Sequence, residues 1–352
     1  MSDSPFSLDR YPALFAEGLG RLLADHRLGT FILVLANALQ DERLHQRLEA
    51  ALVARFEALA DELTRALRQG GGNEHPSDDL LVFLKLMAVG LEHLAPAQVR
   101  RAGPWELQYN PLRAFRPARM SQAAIEELKA PFDPNGFHFD KPFLQAEILW
   151  QGRLLGRPCR LFYNKFPFAP GHALLVPEPE AQRPQFLTRQ AHEFAWSLLE
   201  EIGGDLPFSG LAYNARGACS SVNHLHFQFY AGKVNGYPVE APHWRHHGGN
   251  RPWPGSVQCH QDRDAAWRAI QALHERPCPY NLLYRPGRLY VMPRPFQTGR
   301  AAAPWCGCLG WAELAGTFTL ARHETFLELS AEEISTLLAD QSACSNSRRQ
   351  AG

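Results

Sequence analysis

The chain has 352 residues, 45% apolar and 11% aromatic, a composition that argues for a folded globular protein of two domains or one large duplicated one and excludes a disordered chain. Its 36 basic and 36 acidic side chains cancel, so no molecule-wide field draws it to nucleic acid or to an anionic membrane, and an anionic ligand needs a local site. The seven cysteines are scattered without disulfide-like spacing, the N-terminus lacks a signal peptide's basic start and apolar run, and the most apolar stretch (31–39) is about half a membrane helix in length, so a soluble cytoplasmic protein is expected.

From Phe31 to about Gln69, leucines, valines and phenylalanines recur at three- and four-residue steps and stop at Gly70-Gly71-Gly72, which predicts one long helix or two. Asp78-Asp79 then precede LLVFLKLMAVGLEHL, whose acidic start suits the first turn of a further helix. The first hundred residues therefore read as mostly helical. Beyond Gly103-Pro104 the texture turns aromatic, proline-rich and strand-like, in LQYNPLRAFRPAR, AEILWQGRLLGRPCRLFYNKFP and GHALLVPEP. Residues 185–202 return to helical spacing, and SGLAYNARG and SVNHLHFQFY return to strands.

One internal echo stands out. Tyr163-Asn164, Pro170-Gly171 and Pro177 reappear in order as Tyr280-Asn281, Pro286-Gly287 and Pro293. Each set reads as Tyr-Asn, a short strand, a Pro-Gly turn and an apolar strand ended by proline, which fits either two ordinary hairpins or a duplication.

In SSVNHLHFQFY (220–230) an extended strand would put His224, His226 and Gln228 on one face and Leu225, Phe227 and Phe229 on the other. Upstream, Asn214 to Ser221 (NARGACSS) has the small residues and hydroxyls that let backbone amides approach a phosphate closely. The two histidines admit three readings: hydrogen-bonded structural residues, a metal pair lacking a third ligand of clear spacing, or a nucleophile toward phosphorus. Cys306, Cys308 and the histidines from His243 to His247 are candidate third ligands only by composition. The nucleophile reading needs a neutral imidazole at position 226 with one nitrogen bare and the other held as a donor, and Gln228 placed to donate to a phosphoryl oxygen.

The run SVNHLHFQ resembles the His-X-His-X-Gln signature of the transferase branch of the histidine triad superfamily, which includes galactose-1-phosphate uridylyltransferase. The likeness extends through GHALLVPEPEAQRPQ, LAYNARGACSSVNHLHFQFY, YPVEAP, PYNLLYRPGRLYVMPR and WAELAGTFTLARHETF, and is strongest to the GDP-L-galactose and GDP-D-glucose phosphorylases. LFYNKFPFAPGHALLVP carries a weaker likeness to the dinucleoside polyphosphate phosphorylases.

The resemblance, which covers about residues 105–335, implies an α+β fold with a duplicated antiparallel sheet of histidine-triad type and helices, and the helical pattern before it adds a helical N-terminal extension. It divides the chain into that extension (1–103), a catalytic half (104–250), a degenerate second half (251–340) and a frayed tail (341–352). His226 would be the nucleophile, Gln228 would contact the transferred phosphoryl group, and His224 would support it. Asn164, Lys165, Asn214, Gly217, Ser220, Ser221, Asn223, Arg113 and Arg116 are the expected substrate-binding residues.

The implied activity is phosphorolysis of a nucleoside diphosphate sugar, GDP-hexose being favoured, by inorganic phosphate through a covalent nucleotidyl-histidine. The alternatives are the same chemistry on dinucleoside polyphosphates or adenylyl sulfate, and a noncatalytic nucleotide sensor. This chemistry requires no cofactor, and a divalent metal ion is not indicated. A homodimer stays open, as does the role of the extension.

Overall fold

The computed structural model describes residues 4–25, 27–71, 75–115 and 124–341. The N-terminal part is helical as expected: α1 (Arg10–Leu22), α2 (Leu28–Ala38), α3 (Glu42–Arg68) and α4 (Ser77–Val89). The long apolar run is two helices, because Asp41 caps α3 by accepting from the Leu44 amide at 3.0 Å and so ends the register of α2. Gly70, at φ 76°, closes α3. All of α2 is buried, which accounts for its apolar composition as a core helix. Among the described residues no helix is long and apolar enough to cross a membrane.

Two sheets follow. β1 (Gln98–Ala102) and β2 (Trp105–Tyr109) form a hairpin. Next come β3 (Ile148–Leu154), β4 (Arg157–Tyr163), β5 (Ala173–Pro177), α5 (Arg189–Ile202), β6 (Gly210–Asn214) and β7 (Phe227–Tyr230). β8 (Gln258–His260), α6 (Arg263–Glu275), β9 (Tyr280–Arg285) and β10 (Arg288–Pro293) continue the chain. α7 (Trp311–Leu314), β11 (Thr317–Leu320), α8 (His323–Glu328) and α9 (Ala331–Asp340) complete it. β11 joins β2 in parallel to make a three-stranded sheet. The other strands form one antiparallel sheet in the order β3-β4-β5-β7-β6-β9-β10-β8. A helix followed by an antiparallel strand pair occurs twice, as α5-β6-β7 and α6-β9-β10, and the two units meet along β6 and β9.

The sequence echo does not follow these units, because its first copy runs from the end of β4 into β5, outside α5-β6-β7, while its second spans β9 and β10. Tyr163 ends β4, whereas Tyr280 begins β9, so the two Tyr-Asn pairs occupy different places. In the first copy the residues between Asn164 and Pro170 are loop; in the second they are strand.

Alternation along the strands gives the large sheet two unlike faces. On one face Phe227 and Phe229, fully buried, sit in the main core, and each contributes about 1.5–3 kcal/mol. Phe229 meets the rings of Phe6 (4.9 Å) and Tyr11 (5.1 Å), and the Tyr163 hydroxyl donates to the Phe15 carbonyl at 2.8 Å. The N-terminal segment is thus built into the core of the sheet. On the other face Ala212, Tyr230, Leu283 and Tyr290 join a second core with Trp105, Trp244 and Trp311. Gln228, Leu174 and Phe162, register neighbours on β7, β5 and β4, instead line an open cleft.

Cys219 and Cys308 are joined in a disulfide, with Cα atoms 6.0 Å apart. This corrects the expectation from spacing. Their separation of 89 residues hides a pairing that only the fold creates.

Candidate active site

The cleft has a volume of about 1010 Å³. Its lining includes His226, Gln228, Asn214 and Ser221, with Phe139, Trp311 and Glu313. The strand expected over 224–230 begins only at Phe227, because β5 and β6 stop pairing with β7 at Phe227 and Gln228. Before that point the chain is held by substitutes for a neighbouring strand. The Leu225 amide donates to the Arg183 carbonyl at 2.8 Å. The buried Gln185 side chain accepts from the His226 amide (2.9 Å) and donates to the His226 and Asn214 carbonyls (3.2 and 3.0 Å). Gln185 therefore ties the histidine segment to the end of β6. Its only sequence signal is its place in the RPQ run.

His226 is 5% exposed, and its Nδ1 lies 2.7 Å from the His224 carbonyl. A carbonyl can only accept, so Nδ1 carries the proton and Nε2 keeps its lone pair. Burial pushes the His226 pKa down to about 4, against the stabilising His224 carbonyl, so the ring is neutral at pH 7.

His224 contributes through that carbonyl, while its imidazole serves elsewhere. Its Nδ1 accepts from the Phe139 amide at 3.1 Å and the ring packs against Phe132 and Phe139. It thereby anchors the loop whose Phe139 also meets the His226 ring at 5.0 Å. Each imidazole thus has its own partner, and among the described residues no group of three or more His, Cys, Asp or Glu converges as a metal site.

Gln228 is oriented by a residue that the sequence reading did not single out. The Trp311 indole N–H donates to Gln228 Oε1 at 2.7 Å, so the amide NH2 remains as the donor. The Trp311 backbone N–H donates to Asn214 Oδ1 (3.1 Å), as does Asn281 Nδ2 (2.6 Å), which turns the Asn214 amide in the same sense. His172, fully buried, is in side-chain hydrogen-bond contact with Gln228 and stands 3.2 Å from Asn164 Nδ2. Burial, reinforced by Arg113, holds His172 at a pKa of about 3.

Asn164, Lys165 and Arg113 also line the cleft. Lys165 is paired with Asp79 of α4 at 2.5 Å. Arg113 donates to the Phe166 carbonyl at 3.3 Å, and its guanidinium lies 5.9 Å from the Phe168 ring centre.

Three other expected residues lie outside the lining. Gly217 packs against Phe296 and its carbonyl accepts from the Gln297 amide. The Ser220 hydroxyl donates to the Val222 carbonyl at 3.1 Å. Asn223 accepts from the Gln185 amide (3.1 Å) and donates to the Pro131 carbonyl (2.7 Å). The small residues of this loop therefore shape the turn, and only Asn214, Cys219 and Ser221 of it reach the cleft. Arg116 lies outside the described residues.

Three buried neutral histidines make acid sensitivity an expected property. His172, His224 and His226 are held near 3, 4 and 4, while in an unfolded chain each takes a proton near 6.5. The unfolded state therefore binds more protons over this window. Stability falls as pH drops from about 6.5 toward 4, at most on the order of 1.4 kcal/mol per pH unit for each group. Urea unfolding midpoints should decrease between pH 7 and pH 5; equal midpoints would contradict neutral burial.

Residues 104–230 match the family described as GDPGP1-like, N-terminal domain. Among curated relatives, GDP-D-glucose phosphorylase 1 of Danio rerio is 35% identical over 113 residues, 32% of this chain and 32% of the relative. GDP-L-galactose phosphorylase 2 of Arabidopsis thaliana is 28% identical over 141 residues, 35% of this chain and 32% of the relative. The matched part thus spans about a third of the length of these relatives. The solved structure of yeast Ap4A phosphorylase shares the fold, with a TM-score of 0.50, 16% identity, and coverage of 79% of this chain and 97% of that one. The expected α+β fold is borne out, and residues 104–230 of this chain are similar to the GDPGP1-like N-terminal domain.

Proposed function

We propose that this chain is a nucleotidyltransferase of the phosphorylase type, which cleaves a nucleoside diphosphate sugar, GDP-hexose foremost, with inorganic phosphate through a nucleotidyl-His226 intermediate. The observation that carries the reading is the His226 ring itself, with Nδ1–H tied to the His224 carbonyl and Nε2 bare in a cleft beside the Gln228 amide. The similar proteins GDP-D-glucose phosphorylase 1 and GDP-L-galactose phosphorylase 2 support the choice of substrate class.

Nε2 attacks the nucleotide-side phosphorus, forming a P–N bond as the bridging P–O bond breaks. The electron pair leaves with the hexose phosphate. That leaving group has a second pKa near 6, so it departs with little need of a general acid, which suits a glutamine rather than a third histidine at position 228. The nucleotidylated ring is an imidazolium, and the His224 carbonyl on Nδ1–H stabilises its charge. Gln228, with its Oε1 held by Trp311, turns its NH2 to a nonbridging oxygen as negative charge develops there. Phosphate then attacks the same phosphorus, and the P–N electron pair returns to Nε2. The products are a nucleoside diphosphate and a hexose phosphate.

Base-labelled GDP-glucose given to the protein without phosphate should leave label on the chain in up to one equivalent, and added phosphate should release it as GDP. The same trial with GDP-galactose, GDP-mannose, ADP-glucose and diadenosine tetraphosphate ranks base and leaving group. Tight binding with no label from any of them would replace the transferase with a nucleotide sensor.

A further inference from the structure

The cleft is not built by residues 104–230 alone. Leu28, Gly29 and Thr30 of α2 and Asp78 and Asp79 of α4 form part of its wall. Asp79 reaches Lys165, in the loop just past the end of β4, at 2.5 Å, and both side chains are largely shielded from solvent, at 16% and 20% exposed. Gly29 makes the pairing sterically feasible. A Cβ on it would collide with the Asp79 carboxylate and stand 3.0 Å from Lys165 Nζ. Arg27, just before α2, donates to the Phe143 carbonyl at 3.3 Å and ties this wall to the aromatic lip of the cleft.

The charge of the lining bears on what fits beside the reacting diphosphate. Among the described residues, the lysines and arginines lining the cleft are Arg27, Arg113 and Lys165, and each has a carboxylate at hand. Arg27 is held by Asp25 at 2.7 Å, Lys165 by Asp79, and Arg113 feels the charge of Glu313. Asp78 and Glu147 add further negative charge to the same lining. A nucleoside diphosphate sugar brings two phosphates and an uncharged sugar; a dinucleoside tetraphosphate brings two more charged phosphates, which need cations of their own. A lysine committed to a carboxylate cannot serve them without breaking a shielded pair, and the carboxylate left behind would repel them.

We infer that Asp79, by engaging Lys165, is a specificity-determining residue that makes the cleft reject polyphosphate chains longer than two phosphates and reserves it for substrates whose second half is uncharged. This rests on the reading under Proposed function and deepens it. It gives the N-terminal helices a part in substrate choice, which the matched segment 104–230 does not contain.

The probe is inorganic tripolyphosphate, whose affinity for the full-length protein is measured by calorimetry and therefore needs no turnover. Asp79→Asn, which keeps the side-chain shape and frees the lysine, is expected to tighten tripolyphosphate binding about tenfold, and raised salt should shrink the gain. Asp79→Asn combined with Lys165→Met, which removes both charges of the pair, should lose the gain and return the affinity to within about twofold of the unaltered protein.

No gain in the single Asp79 variant, a gain that survives removal of Lys165, or a tenfold loss in the double variant relative to the unaltered protein would each overturn the inference. The last result stands on its own should Asp79→Asn not fold, because the double variant leaves neither charge unpaired and its loss would make Lys165 a phosphate ligand in the native protein. If no label forms on the unaltered chain, the reaction falls while these affinities remain measurable, so the two failures are separable.

Discussion

Replacing His226 with asparagine is expected to abolish covalent labelling by a base-labelled substrate and to reduce phosphorolysis by about four orders of magnitude or more. Asparagine approximates the size of the ring and can still donate toward the His224 carbonyl, so the segment held by Gln185 should stay in place. What it lacks is the bare Nε2. Without it phosphate would have to displace the leaving group directly, in place of the two successive displacements proposed above. The acid limb of the native rate profile should report the same nitrogen. Protonation of Nε2 removes the nucleophile, so activity falls as pH drops through about 4, well below the 6.5 of an ordinary histidine. Label that persists in His226→Asn would move the nucleophile elsewhere, and an acid limb near 6.5 would mean that the ring is solvated when it reacts.

The second large effect is expected at Gln228. Gln228→Ala should lower kcat by about 10²–10³ with a much smaller change in KM, the pattern for a donor that matters most when charge develops on the phosphoryl oxygens. Trp311→Phe offers a milder form of the same test. Phenylalanine retains an aromatic face for the stack on Tyr230, whose ring centre is 5.4 Å away, but deletes the indole N–H that holds Gln228 Oε1. The amide can then turn over, and kcat should fall by about tenfold while the protein stays folded. A rise in KM with unchanged kcat in both variants would make Gln228 a ground-state binding group. Loss of stability in Trp311→Phe without a selective loss of kcat would make the indole contact structural.

Several features were legible in the residues because they rest on local chemistry. Alternation in LHFQFY correctly separated Phe227 and Phe229, which enter the core, from Gln228, which faces the cleft. The helical spacing up to Gly70 and the acidic start of α4 were legible for the same reason, since capping and periodicity act within a few residues. The Gly-rich loop misled because small residues serve tight turns and anion sites alike. Here Gly217, at φ 78°, and Ser220 serve the turn.

The sequence by itself determined which side chains stand close together: a His-X-His-X-Gln run sets two imidazoles and an amide at alternate positions whatever surrounds them. Their state was decided by the fold. The tautomer of His226 depends on a carbonyl two residues away, its neutrality on burial, the direction of the Gln228 amide on an indole 83 residues downstream, and the charge left on Lys165 on a helix 86 residues upstream. Hydrogen-bond direction, desolvation and ion pairing are set by what lies within a few ångströms, and proximity between distant segments is the one quantity that a linear pattern does not contain.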